Sequence, residues 1–247
     1  MQSTTPTHIH SENDLDAALA ALGAADPRFT ALIAQTGRPP LRRRPGGFPG
    51  LIATVVSQQL STASAAAIWG RLATAIDPLE PAFIIRARAA RLARIGLSAP
   101  KIRALKEIAR AVSKGQLALA SLAELAAEEA HAALTAVHGI GPWTADIYLL
   151  SCLGHADAWP AGDLALQEAA RLAFGLRARP DVKQMMKLAE PWRPWRAVAA
   201  RVLWTYYRTV KGRDGAPVVP KPAKSKRAKS TSAKSKPVIR RANGRGA

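Results

Sequence analysis

The sequence predicts an all-α fold of about eight to ten helices joined by short loops. Three observations carry this. Apolar residues recur at three- and four-residue spacing along most of the chain, no segment alternates as a strand would, and Pro/Gly clusters punctuate the periodic stretches. Over residues 14–35, Leu15, Leu19 and Leu22 and then Phe29, Leu32 and Ile33 share helical faces, broken at Asp26-Pro27. Breakers at Arg38-Pro39-Pro40 and from Pro45 to Gly50 then flank a basic run, Arg42 to Arg44. The uncharged stretch between Arg44 and Arg71 predicts one buried helix over 51–75. It holds Gln58, Gln59 and several Ser and Thr, unlike the roughly 20 apolar residues of a bilayer span. Further helices fit 80–94, 100–113, 121–137, 144–153, 164–174, 180–189 and 195–210. In 100–113, Ile102, Leu105, Ile108 and Val112 form one stripe. Ser121 followed by Glu124 reads as a capping box opening its helix.

The charge balance narrows the partner. Of the net charge of +19, +11 falls from Lys211 onward, where twelve Lys/Arg face the single acid Asp214. That tail has no aromatic residue and is expected to be disordered, because it cannot bury enough apolar surface to offset its ordering entropy. The remaining +8 makes the folded part basic as well. Such charge favours a polyanion through counterion release, with a solubilising tail, ribosomal RNA or acidic lipid as alternatives. One cysteine, Cys152, excludes a disulfide scaffold and a four-Cys cluster. The first residues lack a basic-then-apolar signal pattern, so a cytoplasmic protein, nucleoid-associated if bacterial, is expected, with no membrane contact.

The most informative segment runs from Leu134 to Asp146. A helix ends near Val137, a tight turn carries Gly139 and Gly141, and Pro142 suits the first position of the next helix. Glycines allow positive φ and close backbone approach. The free N–H groups that open the second helix suit a phosphate, a contact that reads the DNA backbone and not its sequence. An ordinary helical hairpin packed into the core fits the same residues.

Together with its flanks, this segment resembles the helix–hairpin–helix base-excision DNA glycosylases, most closely the 3-methyladenine glycosylase II branch. Val137 to Ala145 looks like the family hairpin. The Ala158–Gln167 segment looks like the Gly/Pro loop that carries an essential Asp, here Asp163. Ser57 to Ser61, Gly96 to Lys101, and Pro191 to Arg196 with Trp204 beyond also fit that branch. The likeness spans about residues 28–210. It implies two helical subdomains flanking a DNA-binding cleft: N-terminal helices (1–49) packed with the C-terminal ones, a central subdomain (50–158) with the hairpin at 134–146, a catalytic-Asp loop with C-terminal helices (159–210), and the basic tail (211–247). Only about fifty residues precede the Gln58 segment, so the compact form without the extra N-terminal β-containing domain of some members is expected.

The resemblance also assigns roles. Asp163, by itself a good helix N-cap, becomes the catalytic carboxylate, stabilising an oxocarbenium-like sugar or orienting the attacking water. Glycosylases that also cut the strand place a Schiff-base Lys where this chain has Trp143, so a monofunctional enzyme is implied. Trp143 and Trp204 would line the base pocket, where a cationic alkylpurine gains roughly 0.5–2 kcal/mol by cation–π contact. Ile147 stands where some relatives carry a pocket aromatic. Gln59, with Leu60 beside it, is the implied wedge that fills the gap left by a flipped base. Gly139, Gly141, Thr144 and His138 would meet the DNA backbone. Carbonyls of Thr135, Val137 and Ile140 would hold a structural Na+ or K+, no other cofactor being required. Trp69, Trp159, Trp192 and Trp195 are read as packing residues. The implied partner is double-stranded DNA with alkylated bases, met by a monomer. A non-catalytic hairpin DNA-binding protein and a glycosylase for another lesion are the rival readings.

Overall fold

The computed structural model describes residues 8–212 and 215. Among them are twelve α-helices and no strand, only an isolated bridge pairing His8 with His155. The expected disordered tail, 211–247, lies outside the described residues apart from Lys211, Gly212 and Gly215. No described helix is long and apolar enough to cross a membrane.

Local chemistry sets most boundaries. α1 (Glu12–Ala25) opens on a capping box between Ser11 and Asp14. Asp26 ends it and caps α2 (Pro27–Thr36), whose first residue is a proline. The predicted helix over 51–75 is two helices, α3 (Gly47–Ser57) and α4 (Thr62–Ala75). Ser61 supplies the reason, since its side chain accepts from the Ser64 N–H at 3.2 Å and starts a new helix. The predicted 80–94 helix likewise divides into α5 (Pro81–Arg86) and α6 (Ala89–Ile95), with Ala87 and Arg88 in extended conformation between them. Gly96, at φ 105, ends α6 before α7 (Ala99–Ser113).

The helix expected over 121–137 is shorter, because Ser121 turns its hydroxyl to the Ala118 carbonyl at 3.0 Å instead of capping. A short 3-10 turn follows, and α8 (Ala127–Thr135) begins later, with the Glu129 carboxylate accepting from the Ala126 N–H. α9 (Pro142–Tyr148) runs into a π-helical turn, Leu149–Leu153. The set is completed by α10 (Leu164–Ala173), α11 (Val182–Ala189) and α12 (Arg196–Lys211).

α12 is the axis of one side of the molecule: α10, α2 and α1 pack on it, and Trp192, in the 3-10 turn Glu190–Trp192 that precedes α12, donates to Asp26 Oδ2 at 2.9 Å. Trp192 also meets Phe29 edge-to-face at 4.9 Å. On the other side α3 packs against α4, α7 and α9, and α5 and α6 lie on α7. Trp69, Trp159, Trp192 and Trp195 are buried. α8 and α9 form the hairpin, and Gly139 there has φ 97 with its Cα against α7: a Cβ would sit 2.6 Å from the Ala104 Cβ.

Candidate active site

Three helices converge on Asp163. It is the N-cap of α10, and its Oδ1 accepts from the Leu166 N–H at 2.8 Å. Trp204, from the middle of α12, donates its indole N–H to the same oxygen at 3.2 Å. Trp143, second residue of α9, donates to Oδ2 at 2.8 Å. The carboxyl is buried, which raises its pKa above the usual carboxylate range. The Trp143 indole, the Leu166 N–H, the Trp204 indole and the Ala165 N–H oppose that rise. Burial thus makes this acid costly to ionise, while four donors and the positive end of α10 hold the ionised form in one orientation. Leu164, the next residue, is 62% exposed beside this buried acid.

The loop that carries Asp163 is braced on three sides. Gln167 donates to the Ala161 carbonyl at 2.8 Å, and the Trp159 indole to the Met185 carbonyl at 3.2 Å. Arg196 grips Asp157 with two bonds, Nε–Oδ1 at 2.7 Å and Nη2–Oδ2 at 2.8 Å. Arg193 joins Asp157 to Glu128 at the start of α8. These partners lie far apart in the chain, and sequence reasoning missed them.

The sequence-predicted residues fall into groups. Asp163, Trp143 and Trp204 come together. Ile147 is fully buried in the core, and Trp204 is nearly so. Trp143 alone of the three expected pocket residues lines a cavity of about 500 Å³, whose walls include Asp146, Trp159, Val182 and Met186. Burial raises the Asp146 carboxyl well above its ordinary pKa, against the nearby Arg196. Gln59 and Leu60 are exposed in the turn between α3 and α4, and Gln59 has φ 54, a left-handed conformation uncommon outside glycine.

At the hairpin, His138 and Gly141 are exposed, and a Cβ on Gly141 would meet nothing within 4 Å. Close packing therefore does not demand glycine at 141 as it does at 139. The Thr144 side chain is buried and not open to a phosphate: its hydroxyl accepts from Gln58 Nε2 at 2.6 Å. The Val137 carbonyl already accepts from the Ile140 N–H at 3.1 Å, leaving it one lone pair for a cation. No His/Cys/Asp/Glu cluster able to hold a metal occurs among the described residues.

Known proteins place this arrangement. The alkylbase DNA glycosidase-like protein mag2 of Schizosaccharomyces pombe is 28% identical over 79% of this chain and 95% of its own length. A probable bifunctional transcriptional activator/DNA repair enzyme of Mycobacterium tuberculosis is 32% identical over 78% of this chain, which spans 40% of that longer protein. Among solved structures, the S. pombe 3-methyladenine DNA glycosylase in complex with abasic DNA superposes with a TM-score of 0.70 and 30% identity, covering 79% of this chain and 97% of that one. Residues 52–194, spanning the α3–α4 turn, the hairpin and Asp163, match the HhH-GPD family model, and the chain belongs to that superfamily of base excision DNA repair proteins.

Proposed function

We propose that the protein is a monofunctional DNA glycosylase that removes alkylated purines of the 3-methyladenine type from duplex DNA. The carrying observation is the Asp163 carboxyl, buried and held between two indole N–H groups at 2.8 and 3.2 Å. The names of its relatives support the same lesion class.

Chemistry follows from that geometry. As the N-glycosidic C–N bond breaks, its electron pair leaves with the base and positive charge develops on the sugar. An ionised Asp163, in a site screened from water, stabilises that charge. Water then adds to C1′, giving up its proton to the carboxylate or to solvent. An alkylated purine is already cationic, so it departs neutral without an added proton. Trp143 cannot form a Schiff base, so the strand stays intact and an abasic site remains. Gly141, His138 and the N-terminal N–H groups of α9 would hold the phosphate backbone. A monovalent cation on the Thr135, Val137 and Ile140 carbonyls would add positive charge there. The reading includes a monomer acting on duplex DNA inside the cell.

The test compares wild type with Asp163→Asn on methylated duplex DNA, by chromatography of the freed bases and alkali treatment of the strand. Release of 3-methyladenine by wild type alone, with nicks only after alkali, is expected. If neither protein frees a base while both bind DNA, the chain is a binding module or acts on another lesion.

A further inference from the structure

The turn between α3 and α4 is held from beneath by one lysine. Lys101, in the first turn of α7, sends its ammonium to the carbonyl of Val56 at 2.7 Å and to that of Gln58 at 2.7 Å. These are carbonyls at the C-terminal end of α3, where the helix leaves its last acceptors without N–H partners and the dipole is negative. Helices commonly end on a glycine at positive φ; here Gln59 takes φ 54 instead. A side chain in that conformation is strained unless its surroundings fix it. From the other side, Gln58 Nε2 donates to Thr144 in the hairpin helix at 2.6 Å. The backbone is thus clamped at Val56 and Gln58, and the exposed side chains of Gln59 and Leu60 project beyond it. Burial lowers the Lys101 pKa from its ordinary value.

We propose that Lys101 is a positioning residue for base flipping: bonded to the Val56 and Gln58 carbonyls, it fixes the left-handed turn that presents Gln59 to the duplex. This rests on the reading of Gln59 as the wedge. A wedge must enter the base stack as the lesion leaves it, so a turn that yields loses work on duplex DNA. A single strand has no opposing base to replace and should not need the clamp. Lys101 would matter for duplex substrates and little for unpaired ones.

The experiment measures single-turnover release of 3-methyladenine from methylated duplex and from methylated single strands. It uses wild type, Lys101→Met, Gln59→Ala and the double variant, with thermal melting of each. Misplacement of a positioned group costs on the order of ten- to hundredfold, so that loss is expected for Lys101→Met on duplex, with release from single strands within about twofold. The double variant should be no slower than Gln59→Ala, because both act through one side chain. The unstacking signal of 2-aminopurine beside the lesion should fall in parallel. If Lys101→Met does not fold, Lys101→Gln, which keeps an N–H donor on a shorter, uncharged side chain, takes its place and should show the same duplex-selective loss.

Equal losses on duplex and single strand, or additive losses in the double variant, would overturn the proposal in favour of a phosphate contact or general stability. If Gln59→Ala is impaired and Lys101→Met is not, the positioning role alone fails. Unchanged duplex release by Gln59→Ala would instead remove the wedge reading, and the proposal with it.

Discussion

The indole N–H of Trp143 donates to Asp163 Oδ2 at 2.8 Å, joining the hairpin helix to the N-cap of α10 across twenty residues. Whatever sets the hairpin against a DNA backbone therefore also sets the acid. Trp204 reaches the other oxygen from α12, so both indoles serve the carboxylate as hydrogen-bond donors. The carboxylate is oriented by groups that cannot themselves titrate near neutral pH.

Trp143→Phe keeps the ring and removes that donor. Burial already raises the Asp163 pKa, and the Trp143 bond is the largest influence opposing it. Removing it lifts the pKa further, so the acid limb of the kcat/KM profile moves to higher pH. A hydrogen bond to a charged group contributes about 1.5–3 kcal/mol, so activity at neutral pH should fall roughly tenfold or more. An unmoved acid limb would mean that Asp163 is not the group titrating in that profile.

Asp26→Asn tests the seam between the N-terminal helices and α12. The Arg28 guanidinium beside Asp26, with help from the Trp192 indole and the Arg28 N–H, holds its carboxyl down at about 2. A depressed carboxylate stabilises the fold above its unfolded pKa of about 3.9, and that contribution is lost as pH falls towards 2. Asn can still cap α2 but loses the ion pair, so a cost of about 1–2 kcal/mol is expected at neutral pH. Melting of wild type and variant should converge on acidification. A gap that stays constant from pH 7 to pH 2.5 would show that the charge is not what stabilises the seam.

Much of this arrangement was legible in the sequence. Asp26-Pro27 marked the α1–α2 break because cap and helix-start chemistry are local. Pro142 and the two glycines marked the hairpin for the same reason. The split at Gln58–Ser61 was not legible, because the apolar run continues through it and two of its causes, Lys101 and Thr144, lie far along the chain. Ser61 was a readable cap that the continuous periodicity obscured. Ser121 was the reverse, a correct capping pattern whose hydroxyl turned back to Ala118. At the site, resemblance could name Asp163, Trp143 and Trp204, but spacing alone could not reveal that both indoles donate to the carboxylate. Nor could it reveal that Ile147 is sealed in the core while Leu164 is open. Burial is decided by which helices pack together, and one helix's periodicity does not contain that.

Removal of residues 213–247 separates affinity from chemistry. That segment carries most of the +11 found from Lys211 onward, without an aromatic residue that could read a base. Each phosphate neutralised by a basic side chain contributes about −0.9 to the slope of log affinity against log salt on B-DNA. The truncated chain should therefore bind undamaged duplex more weakly at low salt, with a shallower slope, and the two proteins should approach one another as salt rises. Asp163, Trp143 and Trp204 all precede the cut, so single-turnover release from saturating methylated duplex should stay within about twofold of wild type. Binding isotherms from roughly 50 to 200 mM salt, paired with that rate, check both halves. An unchanged slope would show that the tail does not engage DNA. A large fall in the saturated rate would show instead that it takes part in forming the reactive complex, which charge alone does not explain.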